Sequence, residues 1–239
     1  MLDCFGLELD AEEVENWGKL TRAEIGAAGS HFKAFRVREV LPTPETCVVA
    51  PDFWEFTLLL SEEIVRGANV MELGCGNGPH AESILALGGS YVGVDISRHA
   101  VACTRGTYAL CERVRCFHTV DDRDEILALA GTFDIVFGVD FFIHQPTERY
   151  AALTAFAAAM LKPGGWYSVD RWIGPTSTVE TEQCGVDWRG FQRTREEEEA
   201  ILRACGLELV RYCDCPLRGH GGAVVREYSI SRKPSEEPA

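Results

Sequence analysis

The chain has 239 residues, 46% of them hydrophobic, with a formal net charge of -14 and a sequence pI of about 4.9. That length suits one compact domain with a sizeable core. The acidic balance leaves no overall basic footprint for nucleic acid and disfavours tight contact with anionic membranes.

The first residues, "MLDCFGLELDAEEVENW", carry acids early and have no apolar core, so they do not read as a secretory signal. No stretch reaches the ~18 consecutive apolar residues of a membrane span. Ten cysteines are scattered without a repeated Cys-x-x-Cys spacing, which fits reduced thiols in a cytoplasmic protein. "CDCPLRGH" (Cys213, Cys215, His220) offers metal-ligand types. A strand places Cys213 and Cys215 on one face in any case, so no metal is expected.

Residues 1–49 read as a helical cap or lid, with a helix near Ala11–Ala28 started by Asp10 and Glu13. Pro51 opens a second helix, in which Phe53, Phe56, Leu60 and Ile64 recur at helical spacing. "NVMEL" is a buried strand, followed by a glycine loop and a helix "PHAESILALGG" that stops at a glycine pair. "SYVGVD" is the second strand, and Ser97 caps the helix after it. "RVRCFHTV" is the third strand, "DDRDEILALAG" a short helix, and "TFDIVFGVD" the fourth strand. "PTERYAALTAFAAAML" is an alanine-rich helix, and "KPGG" turns into the fifth strand "WYSVDRW".

Ile173 to Arg193 reads as a long loop over the carboxyl edge of the sheet. Thr194 and Glu197 form a capping box before the next helix. Two final strands, "LELVRYCDC" and "AVVREYSIS", lack a helix between them and should pair antiparallel at an edge; a disordered tail follows over 233–239. The alternation predicts an α/β, Rossmann-like, seven-stranded, mostly parallel sheet with an antiparallel edge strand and helices on both faces. The domains expected are the cap over 1–49, the main domain over 50–232 and the tail.

The loop "ELGCGNG" decides the chemistry. A phosphate-binding P-loop needs Lys and Ser/Thr after its last glycine, and none follows Gly78. A dinucleotide fingerprint places its third glycine one residue later than Gly78. Glu72, at the strand end, suits a cationic ligand group better than a diphosphate. It can act on that group directly, act through water, or simply tie the loop.

Glu72-Leu-Gly-Cys-Gly-Asn-Gly resembles the glycine signature of the class I S-adenosylmethionine-dependent methyltransferases, and the resemblance runs from about Asn69 to Asp170. It implies S-adenosyl-L-methionine as cofactor, held by Glu72, Gly74, Cys75, Gly76 and Gly78. Asp95, with Ile96 beside it, stands where the family binds both ribose hydroxyls. Asp121 or Asp122 stands where it binds the adenine amino group, and Val139, at the end of the fourth strand, is a further cofactor-binding candidate. Pro79 directly after Gly78 departs from the family pattern.

The resemblance also implies a small-molecule acceptor, methylated at O or N and less readily at C or S. Asp140, Phe141, Phe142, Ile143 and His144 stand where the family faces the methyl group. His144, with an ordinary pKa near ~6.5, suits a general base. It equally suits a histidine bonded to the backbone beside Pro146. Asp140 is the other candidate base. Phe141, Arg171 and Trp172 are candidate substrate contacts, and Asp170 with Arg171 can form an ion pair at the edge. Trp17, His31, Phe32, Phe53, Trp54, Trp188 and Phe191 are aromatic-pocket candidates or core. Three rivals remain: an NAD-type oxidoreductase, a non-catalytic cofactor-binding module, and a cofactor-using enzyme without methyl transfer, such as a cyclase. A homodimer is compatible with the sequence, and no nucleic-acid or membrane partner is expected.

Overall fold

The structure is a computed structural model that describes residues 3–8, 58–183, 187–216 and 224–235. The expected helix near Ala11–Ala28, the candidates Trp17, His31, Phe32, Phe53 and Trp54, and His220 lie outside the described residues. The chain divides into two compact units, the first holding residues 3–8 and 62–129, the second 58–61 and the described residues from 130 onward.

The first unit follows the expected alternation. Helix α1 (Glu62–Val65) leads to β1 (Asn69–Leu73), α2 (Ala81–Ala86), β2 (Ser90–Asp95), α3 (Arg98–Thr107), β3 (Val114–His118) and α4 (Arg123–Leu127). The strands are parallel, with β2 central: Asn69 pairs with Ser90 and Leu73 with Val94, while Tyr91 pairs with Val114 and Asp95 with His118. Val70, Met71, Leu73, Tyr91, Val92 and Val94 are buried, as parallel strands covered on both faces demand. The Ser97 hydroxyl accepts the Ala100 amide at 3.3 Å and caps α3 as read from sequence, a contact of about 1 kcal/mol. At the N-terminus the Asp3 carboxylate accepts the Phe5 and Leu7 amides, and the Cys4 amide donates to the Thr119 carbonyl at 2.8 Å.

In the second unit β4 (Phe133–Gly138) runs into a 3-10 turn (Phe142–His144), then α5 (Thr147–Met160) and the long β5 (Leu161–Ile173). A hairpin follows, β6 (Thr178–Gln183) and β7 (Asp187–Arg193), then α6 (Arg195–Ala204), β8 (Glu208–Pro216) and β9 (Val225–Arg232). β4 and β7 are parallel to β5, β9 is antiparallel to both β5 and β8, and β6 is antiparallel to β7. The antiparallel ending and the Thr194–Glu197 capping box stand as expected. This is the Rossmann-like, mostly parallel class read from the sequence.

Three expectations are corrected. The stretch 173–193 is a hairpin and not a loop, which brings the strands among the described residues to nine where seven were expected. Gly190 makes the hairpin fit, because a Cβ there would lie 2.1 Å from the Trp172 ring. The second helix expected to run from Pro51 through Ile64 is not continuous: Pro51 lies outside the described residues, residues 58–61 are not helical, and α1 begins only at Glu62. Leu59 has φ +54°, while Leu58 and Leu60 are buried. The Leu58 carbonyl accepts the Ser168 hydroxyl at 3.0 Å, and the Leu59 carbonyl accepts from Arg211. Lys233, counted with the tail, is fastened: its amide donates to Gly165 and its ammonium to the Ala158 and Leu161 carbonyls.

Two glycines of the first unit make opposite predictions. A Cβ on Gly93 would sit 2.7 Å from Cys75 Sγ and 3.0 Å from the Tyr91 ring, whereas one on Gly106, inside α3, meets nothing within 4 Å. Gly93→Ala is expected to lower stability by about 1–3 kcal/mol through overpacking. Gly106→Ala is expected to raise it by up to about 1 kcal/mol through helix propensity. Urea unfolding midpoints of the two variants check the pair.

Candidate functional site

In the first unit the loop after β1 turns on three left-handed glycines, Gly74 at φ +69°, Gly76 at +52° and Gly78 at +71°. A side chain at these angles is strained, which explains why the sequence spends glycines there. The Gly74 and Cys75 amides donate to the Val94 carbonyl, and the Gly76 amide donates to Asp95 Oδ2 at 2.8 Å. Asp95 Oδ1 accepts the Ser97 amide at 2.8 Å. Each Asp95 oxygen therefore takes one backbone hydrogen and keeps a second lone pair. Burial pushes the Asp95 carboxyl up, opposed by those two amides. Ile96 is half-buried, and its carbonyl lies 2.9 Å from His118 Nε2.

Glu72 is buried, with Oε2 accepting the Tyr91 hydroxyl and Oε1 facing His80 Nδ1, both at 2.6 Å. Burial, then the Glu72 carboxylate, pushes the Tyr91 phenol well up, so it stays a donor. Cys75 Sγ lies 3.6 Å from Cys116 Sγ, both thiols buried and free. Asn77 is buried, and its Oδ1 has no hydrogen-bond partner. The two candidate adenine acids differ. Asp121 is exposed and gripped at both oxygens by Arg98, at 2.7 Å each, which lowers its pKa. Asp122 accepts the His118 amide and the Arg105 guanidinium at a single oxygen, Oδ2.

In the second unit Val139 and Asp140 follow β4. Asp140 takes φ +55°, rare for a residue with a side chain. Its amide donates to Asp170 Oδ1 at 2.8 Å, and its Oδ1 accepts Arg226 at 2.5 Å. Arg226 also pairs with Asp170 Oδ2. Phe141 is half-buried, edge-on to Phe142 at 5.0 Å. His144 is half-buried and closes the 3-10 turn, its amide donating to the Phe141 carbonyl.

Arg171, a candidate substrate contact, is engaged within the second unit. It is buried, donating to Ser229 at 2.5 Å and Glu227 at 2.7 Å, with Nε 3.3 Å from Glu198. The expected Asp170–Arg171 pair does not form, because neighbours along a strand point to opposite faces. Trp172 is buried with Ile143 and Val224 in one apolar cluster. Phe191 is half-buried, and Trp188 lies on β7.

Sequence reasoning missed His80, Tyr91, Arg193 and Arg226. Arg193 is fully buried and donates to the Gln145 carbonyl at 2.8 Å and the Phe142 carbonyl at 3.2 Å, which holds the turn carrying His144. Its Nε meets Glu198 at 2.7 Å, and its guanidinium lies 4.1 Å over the Tyr150 ring. "FQRTREEEE" holds Arg193 and Glu198, but the charge run reads as a solvated helix face unless the helix's packed side is known. Among the described residues no cluster of metal-ligating groups occurs, and no helix is long and apolar enough to cross a membrane.

The family described as "Methyltransferase domain" matches residues 70–165. A ubiquinone biosynthesis O-methyltransferase of Thiobacillus denitrificans is 31% identical over 102 residues, 43% of this chain and 43% of the relative. One from Paraburkholderia xenovorans is 31% identical over 113 residues, with the same coverage. The chain thus spans less than half the length of these curated relatives. Among solved structures, a Burkholderia thailandensis 1,6-didemethyltoxoflavin-N1-methyltransferase, solved with 1,6-didemethyltoxoflavin and S-adenosylhomocysteine, superposes with TM-score 0.63 at 18% identity. That match covers 96% of this chain and 93% of the other. The [4+2]-cyclase SpnF superposes with TM-score 0.57 at 18% identity, covering 77% and 80%.

Asp170 gives a pH prediction. Burial pushes its carboxyl up to about 6, with Arg226 opposing and Asp140 reinforcing the rise. A carboxyl raised in the folded state above its unfolded value of about 3.9 binds its proton more tightly when folded. Its contribution to stability is therefore full below pH about 4 and lost as pH rises through about 6. The stability of wild type relative to Asp170→Asn is expected to increase as pH is lowered from 7 to 4.5, read from urea unfolding at each pH.

Proposed function

We infer that the chain is a class I S-adenosylmethionine-dependent methyltransferase that transfers a methyl group to an oxygen or nitrogen of a small-molecule acceptor. The observation that carries the reading is the first unit's glycine loop tied to Asp95, with three left-handed glycines and a Gly76–Asp95 bond of 2.8 Å. The residues fit the cofactor. Asn77 Oδ1 is a buried acceptor without a donor, and each Asp95 oxygen keeps a lone pair for a ribose hydroxyl. Asp122 suits the adenine amino group better than Asp121, whose oxygens Arg98 already grips. Bound S-adenosylmethionine supplies an activated methyl carbon on a sulfonium leaving group.

The second unit's residues serve the acceptor in this reading. His144 takes the proton from the acceptor oxygen or nitrogen as that atom becomes bonded to carbon. Arg193 holds the Phe142 and Gln145 carbonyls and so orients His144. Asp140 is tied to Arg226, which favours His144 over Asp140 as the base. Phe141 offers an aromatic face to the acceptor. The curated relatives are named for O-methylation and the Burkholderia thailandensis structure for N-methylation, which supports an acceptor atom of either kind. SpnF keeps open the rival of a cyclase on this fold.

Incubation with S-adenosylmethionine labelled in the methyl group and a panel of phenolic and N-heterocyclic acceptors tests the assignment. Label is expected in at least one acceptor. His144→Ala is expected to lower turnover on that acceptor by about 10²–10⁴-fold, with S-adenosylhomocysteine affinity unchanged. Label in no acceptor, with ring closure of a substrate instead, overturns transfer in favour of the cyclase reading.

A further inference from the structure

The third strand ends on His118, which is 3% exposed. Its Nε2 lies 2.9 Å from the Ile96 carbonyl, and its Nδ1 lies 3.1 Å from both the Asp121 amide nitrogen and Asp121 Oδ2. A carbonyl only accepts, so Nε2 carries a hydrogen. In the neutral ring Nδ1 accepts the Asp121 amide; in the charged ring it donates to Oδ2. In either state the imidazole is a strut, with one end on Ile96, beside Asp95, and the other on Asp121, beside Asp122. The backbone repeats the connection: the Thr119 amide donates to the Asp95 carbonyl at 3.1 Å, and the His118 amide to Asp122 Oδ2 at 2.7 Å. Arg98 and Arg105 hold Asp121 and Asp122 from α3, whereas the imidazole ties their turn to the end of β2.

We propose that His118 is a positioning residue that sets the spacing between Asp95 and Asp122, and with it the grip on the adenosine half of the cofactor. It touches neither ribose nor adenine, because both ring nitrogens are committed to the protein. The inference rests on the cofactor reading given above, with Asp122 as the adenine acid. A histidine that merely fills the core would affect every ligand alike when replaced. Conservative replacements that each keep one end of the strut separate the two cases. Gln places an amide nitrogen near the Nε2 position and keeps a donor for Ile96. Asn places an amide oxygen near the Nδ1 position and keeps an acceptor for the Asp121 amide.

Calorimetric titration with two probes tests it: S-adenosylhomocysteine, and S-inosylhomocysteine, in which an oxygen replaces the adenine amino group. The wild type is expected to prefer S-adenosylhomocysteine about 10-fold or more, the worth of a hydrogen bond to a charged group. His118→Gln, which releases the Asp121 turn, is expected to cut that preference to within about threefold. His118→Asn, which releases Ile96, is expected to weaken both probes alike, by about 3–10-fold, and to keep the preference. Each variant decides by itself should the other fail to fold. No preference in the wild type, a preference unchanged in His118→Gln, or one lost equally in both variants overturns the inference while wild-type binding keeps the cofactor reading. Loss of the fold in both variants makes the ring a core residue and also overturns it. Failure of the wild type to bind S-adenosylhomocysteine overturns the cofactor reading itself.

Discussion

The hydrogen bond from the Gly76 amide to Asp95 is the constraint on which the first unit depends. It joins the loop after β1 to the end of β2, and the Gly74 and Cys75 amides reinforce it at the Val94 carbonyl. The loop must bend back to reach those acceptors, which requires left-handed backbone at Gly74, Gly76 and Gly78. The turn folds Cys75 over Gly93, where no Cβ fits. Glu72, one strand position below, is locked by Tyr91 and His80. Loop, strand ends and buried acid form one hydrogen-bonded arrangement.

The second unit is organised by buried charge. Arg193, Glu198, Arg171, Glu227 and Arg195 alternate in sign, each in ion-pair contact with the next. The first four are at most 1% exposed. Groups of this kind are held by mutual satisfaction, and removing one leaves an uncompensated charge, a loss of about 3–5 kcal/mol. The chain ends at the Phe142 and Gln145 carbonyls, where Arg193 fixes the 3-10 turn. A second cluster, Asp140, Asp170 and Arg226, holds the left-handed Asp140 against its backbone preference. Residues that could have met a substrate as free charges are thus already committed inside the fold.

The α/β alternation was legible because each element carried its own local signal: Ser97 before α3, the Thr194–Glu197 box before α6, apolar runs at β1 and β4. The loop and Asp95 were legible for the same reason, since glycine spacing and a strand-end acid are local patterns. The β6–β7 hairpin was not. Its glycine and polar residues resemble a loop, and the strands form through pairing of β6 with β7 and of β7 with β5, which sequence spacing does not announce. Arg226 was also hidden, because its partners Asp140 and Asp170 meet it through the antiparallel β5–β9 register. The pairing of Arg171 with Glu227 and Glu198 was hidden because exposure, unlike identity, is not written in a strand whose two faces are both buried.

Calorimetric titration of wild type and Asp95→Ala with S-adenosylhomocysteine, and of wild type with NADH, tests the central claim most directly. The account predicts micromolar-range binding of S-adenosylhomocysteine by the wild type, loss of that binding in Asp95→Ala, and no heat with NADH. Binding of NADH, or S-adenosylhomocysteine affinity indifferent to Asp95, would contradict it.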